Sequence, residues 1–164
     1  MSKGHILVVA DTTEAAHYLA NDLLPQAGFT ASIAEAFSPP DACDAVLVDI
    51  ANLRLNPFAG LRAQRHLGNN APAILYAPRL TGDMSAEVFP LGIRDFIHKP
   101  TDDAALLARL DQFMRQVKQE QDQAELASRL AQTQAALARR LDEMNALSRI
   151  GRAITSLSDA DSIL

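Results

Sequence analysis

The chain has 164 residues, 48% of them apolar and 21% charged, and its 15 basic and 20 acidic side chains give a formal net charge of −5. That composition is globular and suits one domain with an appendage. A mildly acidic chain argues against sequence-independent nucleic-acid binding, its single cysteine, Cys43, rules out an internal disulfide or a four-cysteine zinc site, and no run approaches the ~20 apolar residues of a membrane span.

The N-terminal apolar run is too short for a signal peptide, so a cytoplasmic protein is expected. His5–Ala10 reads as a first strand. Thr13–Leu24 reads as a helix that stops before Pro25 and Gly28. Phe29–Ala34 reads as a second strand. The connection Glu35–Asp44 carries Pro39 and Pro40 and is too short for a full helical crossover, so a helical stub or an extended link is expected. Ala45–Asp49 is a third strand. Pro57–Leu67 is a helix with Asn56 as N-cap and Gly68 at its stop. Ala73–Ala77 is a fourth strand, Gly82–Leu91 a weaker helix, and Asp95–Lys99 a fifth strand.

The first, third and fourth strands are apolar along most of their length, the pattern of parallel strands covered on both faces. Strands alternating with helices predict a doubly wound α/β sheet with right-handed crossovers. In such sheets ligands sit outside the carboxyl ends of the strands. Asp11, Asp49 and Lys99 all fall there. Two close carboxylates repel unless a cation lies between them, and hard oxygens with few protein contacts suit Mg²⁺. A lysine beside them can pair with phosphate. Together they suggest metal-assisted phosphoryl transfer with a carboxylate as acceptor. The alternative for Asp11 is a plain N-cap of the helix near Thr13.

The stretches ILVVADTTE, AVLVDIA, PAILYAP and GIRDFIHKPTD resemble the receiver domain of two-component response regulators over roughly residues 4–118. The resemblance implies a flavodoxin-like five-stranded sheet of order 2-1-3-4-5. It implies Asp49 as phosphoacceptor, and Mg²⁺ held by Asp11, Asp49 and the backbone carbonyl of Ala51. It implies Lys99 as the phosphoryl contact, a cis bond before Pro100, and Phe96 as the aromatic switch. A sensor histidine kinase is the implied partner, and no catalysis beyond self-phosphorylation and dephosphorylation is expected. Phe96 reads equally well as a core or edge side chain. Two positions depart from the family. Its first acid is Ala10 here, which should weaken metal binding. Its Thr or Ser at the end of the fourth strand is Ala77, which removes a hydroxyl from the switch. A receiver-like module that works without phosphorylation is therefore the rival reading.

Other chemistries find less support. His5, His17, His66 and His98 share no metal-ligand spacing. No glycine-rich phosphate loop occurs, and Asp11-Thr12-Thr13-Glu14 lacks the glycine that a nucleotide-binding flavodoxin-like protein would carry in its first turn. Asp49-Ile50-Ala51 lacks the second acid of a phosphohydrolase Asp-x-Asp.

After Pro100 there is no proline, and no glycine until Gly151. Thr101 or Asp102 is the expected N-cap of a long helix. Leu106, Leu107, Leu110, Phe113, Met114 and Val117 form a stripe that packs on the sheet. Leu126, Leu130, Leu137, Leu141, Met144 and Leu147 continue it, with Leu130, Leu137 and Met144 spaced by sevens. Neither assignment of these three, to position a or to d, gives a clean heptad. About 50 helical residues at 1.5 Å each outreach one domain, so residues 119–150 are expected to form a parallel coiled-coil homodimer. Residues 151–164, with the small-residue core Ile150-Gly151-Arg152-Ala153-Ile154 at their start, are similar to the opening helix of a GAF domain. The whole then reads as a piece of a longer signalling protein, with a receiver over 1–118 and an output domain beyond the helix.

Overall fold

In the computed structural model, residues 1–35, 42–51 and 58–163 are described. The chain divides into two units, Met1–Gln119 and Glu120–Leu164. The first holds β1 (His5–Ala10), α1 (Thr13–His17) with its π-helical continuation (Tyr18–Leu23) and last turn α2 (Leu24–Gln26), β2 (Thr30–Ile33), β3 (Ala45–Asp49), α3 (Ala59–His66), β4 (Ala73–Ala77), α4 (Gly82–Val88) and β5 (Ile93–His98). Helix α5 runs Asp103–Ile163.

The five strands form one parallel sheet of order β2-β1-β3-β4-β5. This is the doubly wound, flavodoxin-like order expected from the alternation. Side chains alternate between its faces. Ile6, Val8, Leu47, Ile74 and Ile97 pack with Leu19, Leu23, Leu106, Leu110 and Phe113 in one layer. Leu7, Val9, Val46, Val48 and Leu75 pack with Leu61, Met84 and Val88 in the other. Burial on both faces is why β1, β3 and β4 are continuous apolar runs.

Several boundaries differ from the sequence expectation. The helix after β1 widens into π winding just before Pro25, which has no N–H to give to the carbonyl of Asn21, four residues back. β2 is shorter than Phe29–Ala34 because the Phe29 amide is spent on the Leu24 carbonyl, 3.2 Å away, closing the helix before it. β5 starts earlier than Asp95, since a bulge opposite Ala73 and Ile74 lets Ile93 pair with Ala73. α4 ends at Val88 rather than Leu91, and Pro90, with no N–H to give, follows. Asn56 and Pro57, with the link residues 36–41, lie outside the described residues. Gly68, at φ +89°, supplies the left-handed turn that stops α3.

Asp102 caps α5, its Oδ1 accepting from the Ala105 amide at 2.8 Å. Leu106, Leu110, Phe113, Met114 and Val117 are buried in the first unit. Along residues 120–160 the described side chains are exposed, among them Leu126, Leu130, Leu137, Leu141, Met144, Leu147, Ile150, Ile154 and Leu157. No helix among the described residues is long and apolar enough to cross a membrane.

Candidate functional site

The carboxyl ends of β1, β3 and β4 and the residue after β5 make one rim. Asp49, the last residue of β3, stands opposite Ala10 of β1 on one side and Tyr76 of β4 on the other. Its carboxylate is 4% exposed. Lys99 Nζ donates to Asp49 Oδ1. Burial raises the Asp49 pKa, Lys99 opposes the rise through its hydrogen bond and charge, and the charge of Asp11 adds to it. Lys99 is placed by its own amide, which donates to the Ala77 carbonyl at 2.9 Å, and by the cis bond to Pro100 that follows it.

Asp11 is not the helix cap. Thr12 takes that role, its Oγ1 accepting from the Ala15 amide at 3.3 Å. Asp11 Oδ2 instead accepts from the Ala51 amide at 2.8 Å, and the Asp11 amide donates to the Asp49 carbonyl at 3.3 Å. The first turn after β1 is thereby fastened to the chain leaving β3. Asp11, Asp49 and Ala51 are thus brought together, with Lys99 paired to Asp49.

The two switch positions lie in the other layer. Ala77 is fully buried. Phe96 packs partly buried against the same cluster, its ring edge-on to His98 with centroids 6.1 Å apart. His5 is bonded to Thr30 and Ser32, and His17 to Asn21.

Sequence reading missed Tyr76 and Tyr18. The Lys99 ammonium sits 4.5 Å from the centroid of the Tyr76 ring, a cation–π contact. Burial raises the Tyr76 pKa, as do the nearby charges of Asp49 and Asp103. The Tyr18 hydroxyl donates to Asp103 on α5, and its pKa rises chiefly for that reason. Both tyrosines border a cavity of about 330 Å³ beside Asp49, with Leu19, Lys99, Thr101 and Asp103. One signal for Tyr76 was within reach. Residues opposite each other at the ends of neighbouring parallel strands share a face.

The donor set fits a hard divalent cation. Two carboxylates repel across the rim, and a carbonyl can join them, leaving the rest of an octahedral shell to water. Among the described residues no group of three or more His, Cys, Asp or Glu could hold a metal. Ala10, at the place of a third acid, faces Asp49 in register.

No protein-family model matches the chain, and no curated protein matches it. Solved structures do. A CheY-like response regulator receiver domain from Methanospirillum hungatei JF-1 is 19% identical over 71% of this chain and 97% of its own, with a TM-score of 0.57. The receiver domain of a signal transduction histidine kinase from Syntrophus aciditrophicus is 22% identical over 70% of this chain and 92% of its own, at 0.53. NtrX from Brucella abortus is 21% identical over 77% of this chain, which spans 30% of that longer protein, at 0.60. The first unit therefore has the CheY-like receiver fold.

Proposed function

We propose that this chain is a phosphoacceptor receiver module of two-component signalling, with Asp49 as the acceptor. The observation that carries this reading is the Asp49 carboxylate, set at the strand-end rim between Asp11 and the Lys99 ammonium. An Asp49 oxygen attacks the phosphorus of a phosphohistidine on a sensor kinase, or of a small donor. The bond from phosphorus to the donor breaks, and the leaving group keeps the electron pair and takes a proton. Lys99 pairs with the oxygens of the phosphoryl group. Asp11, Asp49 and the Ala51 carbonyl would hold Mg²⁺, which neutralises the charge gathered there. Nothing in the site calls for catalysis beyond this transfer and its hydrolysis.

The signal passes into α5, and residues 119–150 pair with a second copy of the chain as a parallel coiled coil. Support for the pairing is the row of large apolar side chains left exposed there. The similarity of residues 151–164 to a GAF opening helix fits an output reached through that helix.

Ala10 and Ala77 favour the second reading, a phosphorylation-independent dimerisation module. Intact mass after incubation with Mg²⁺ and a small phosphodonor separates the two. One added phosphoryl group, absent in Asp49→Asn, is the expected result. No addition, together with no binding of beryllofluoride, leaves the second reading.

A further inference from the structure

A second cavity lies on the α3 side of β1, apart from the one beside Asp49. It measures about 340 Å³ and is bounded by Val9, Ala10, Ala34, Ala59, Ala63 and Gln64. Five of the nine residues around it are alanine or glycine, and that is why the space exists. It cannot close by sliding α3 onto the sheet. Gly60 already brings the helix so close that a Cβ there would stand 2.6 Å from Val9 Cγ1.

Gln64 is 2% exposed, and its Oε1 has no hydrogen-bond partner among the described residues. The other end of the amide, Nε2, donates to the Glu35 carbonyl over a long 3.5 Å. A buried acceptor without a donor is costly, and native structures rarely leave one. The residues bordering the cavity include no lysine or arginine, and one carboxylate, Glu35. Nucleotides and other anions therefore find no partner there. The size is at the lower end of small-molecule pockets.

We propose that this cavity binds a compact, uncharged, mainly apolar molecule that offers one N–H or O–H donor to Gln64 Oε1. The site does not depend on phosphorylation of Asp49, so it stands or falls separately from the receiver reading.

The test uses the full chain, with indole as the donor probe and benzofuran as its donor-free isostere, followed by amide NMR titration. Indole is expected to saturate, moving the amides of Ala34 and Gln64, and benzofuran to bind about tenfold more weakly. In Gln64→Met that preference disappears. Ala63→Leu, which fills the space from a half-buried position on α3, removes indole binding altogether, with a thermal melt confirming that the variant is folded. The proposal is overturned if indole does not saturate, if the shifts map to Tyr18 and Tyr76, if the preference survives in Gln64→Met, or if Ala63→Leu binds as the native chain does.

Discussion

Asp49 and Tyr76 stand directly opposite each other at the ends of β3 and β4, and the Lys99 ammonium serves both, as ion-pair partner to one and cation over the ring of the other. Lysine side chains are long and have many rotamers, so a second anchor matters for holding one on a buried carboxylate. A cation–π contact contributes about 0.5–2 kcal/mol, depending on desolvation.

Tyr76→Leu should therefore loosen Lys99 and raise the Asp49 pKa further. Tyr76→Phe, which keeps the ring face, should leave it near the native value. The Asp49 carboxyl carbon shift, followed against pH, reads this directly. Equal titration in the two variants would mean that the ring holds nothing.

The same carboxylate predicts a pH dependence of stability. Its folded pKa lies above the ordinary carboxylate value, so between the unfolded and folded pKa values the native state binds more protons than the unfolded one. Stability from this group is present at low pH and is lost as pH rises through the folded pKa. Asp49→Asn should thus be more stable than the native chain at pH 7, with the gap narrowing as pH falls through the carboxylate range. Lys99 keeps its side chain 21% exposed and can turn to water when its partner is neutral. Urea denaturation at several pH values measures the gap.

Restoring an acid beside Asp49 should strengthen cation binding. Ala10→Asp sets a third carboxylate opposite it in the β1–β3 register. Mg²⁺ affinity should rise about tenfold, on the scale by which metal-site residues usually act. Calorimetric titration checks it, with Asp11→Asn expected to move affinity the other way.

Gly60→Ala offers a packing test. Alanine usually improves a helix by up to about 1 kcal/mol over glycine. Here the added Cβ would fall 2.6 Å from Val9 Cγ1, on a stiff β-branched side chain. The variant should be destabilised by roughly 1–3 kcal/mol. Adding Val9→Ala should recover part of that loss, and a thermal melt of the pair decides it.

Leu137→Glu with Leu141→Glu addresses the exposed row beyond residue 120. The native chain should be dimeric by light scattering and the double variant monomeric, with reduced helix content, because a lone helix gains little without a packed face. A native monomer would remove the coiled coil from the proposed function.

Much of this was legible in the sequence because burial on both faces leaves an unmistakable mark. β1, β3 and β4 match their apolar runs end to end. β5 did not, since a bulge in pairing is a property of two strands and neither sequence announces it. The acidic rim was visible because Asp11 and Asp49 close apolar runs. The cap of α1 is Thr12 and not Asp11, for which capping was the alternative reading, and the difference between the two neighbours lies only in which way each side chain turns. Tyr76 and Gln64 were passed over for a related reason. Each looks like a routine strand or helix residue until the element beside it is in place.

Asp11 holds the chain after β3 at two points, by its amide to the Asp49 carbonyl and by its carboxylate to the Ala51 amide. The bonds cross the gap in opposite senses, one given and one received, and they bracket Ile50. A shift of residues 49–51 that strains one bond cannot be taken up by pivoting on the other without turning Asp11 itself. Asp11 is joined directly to Thr12, which caps α1. The start of that helix is therefore a lever on Asp49, and hydrogen exchange at the Ala15 amide, which Thr12 holds, would report what happens there.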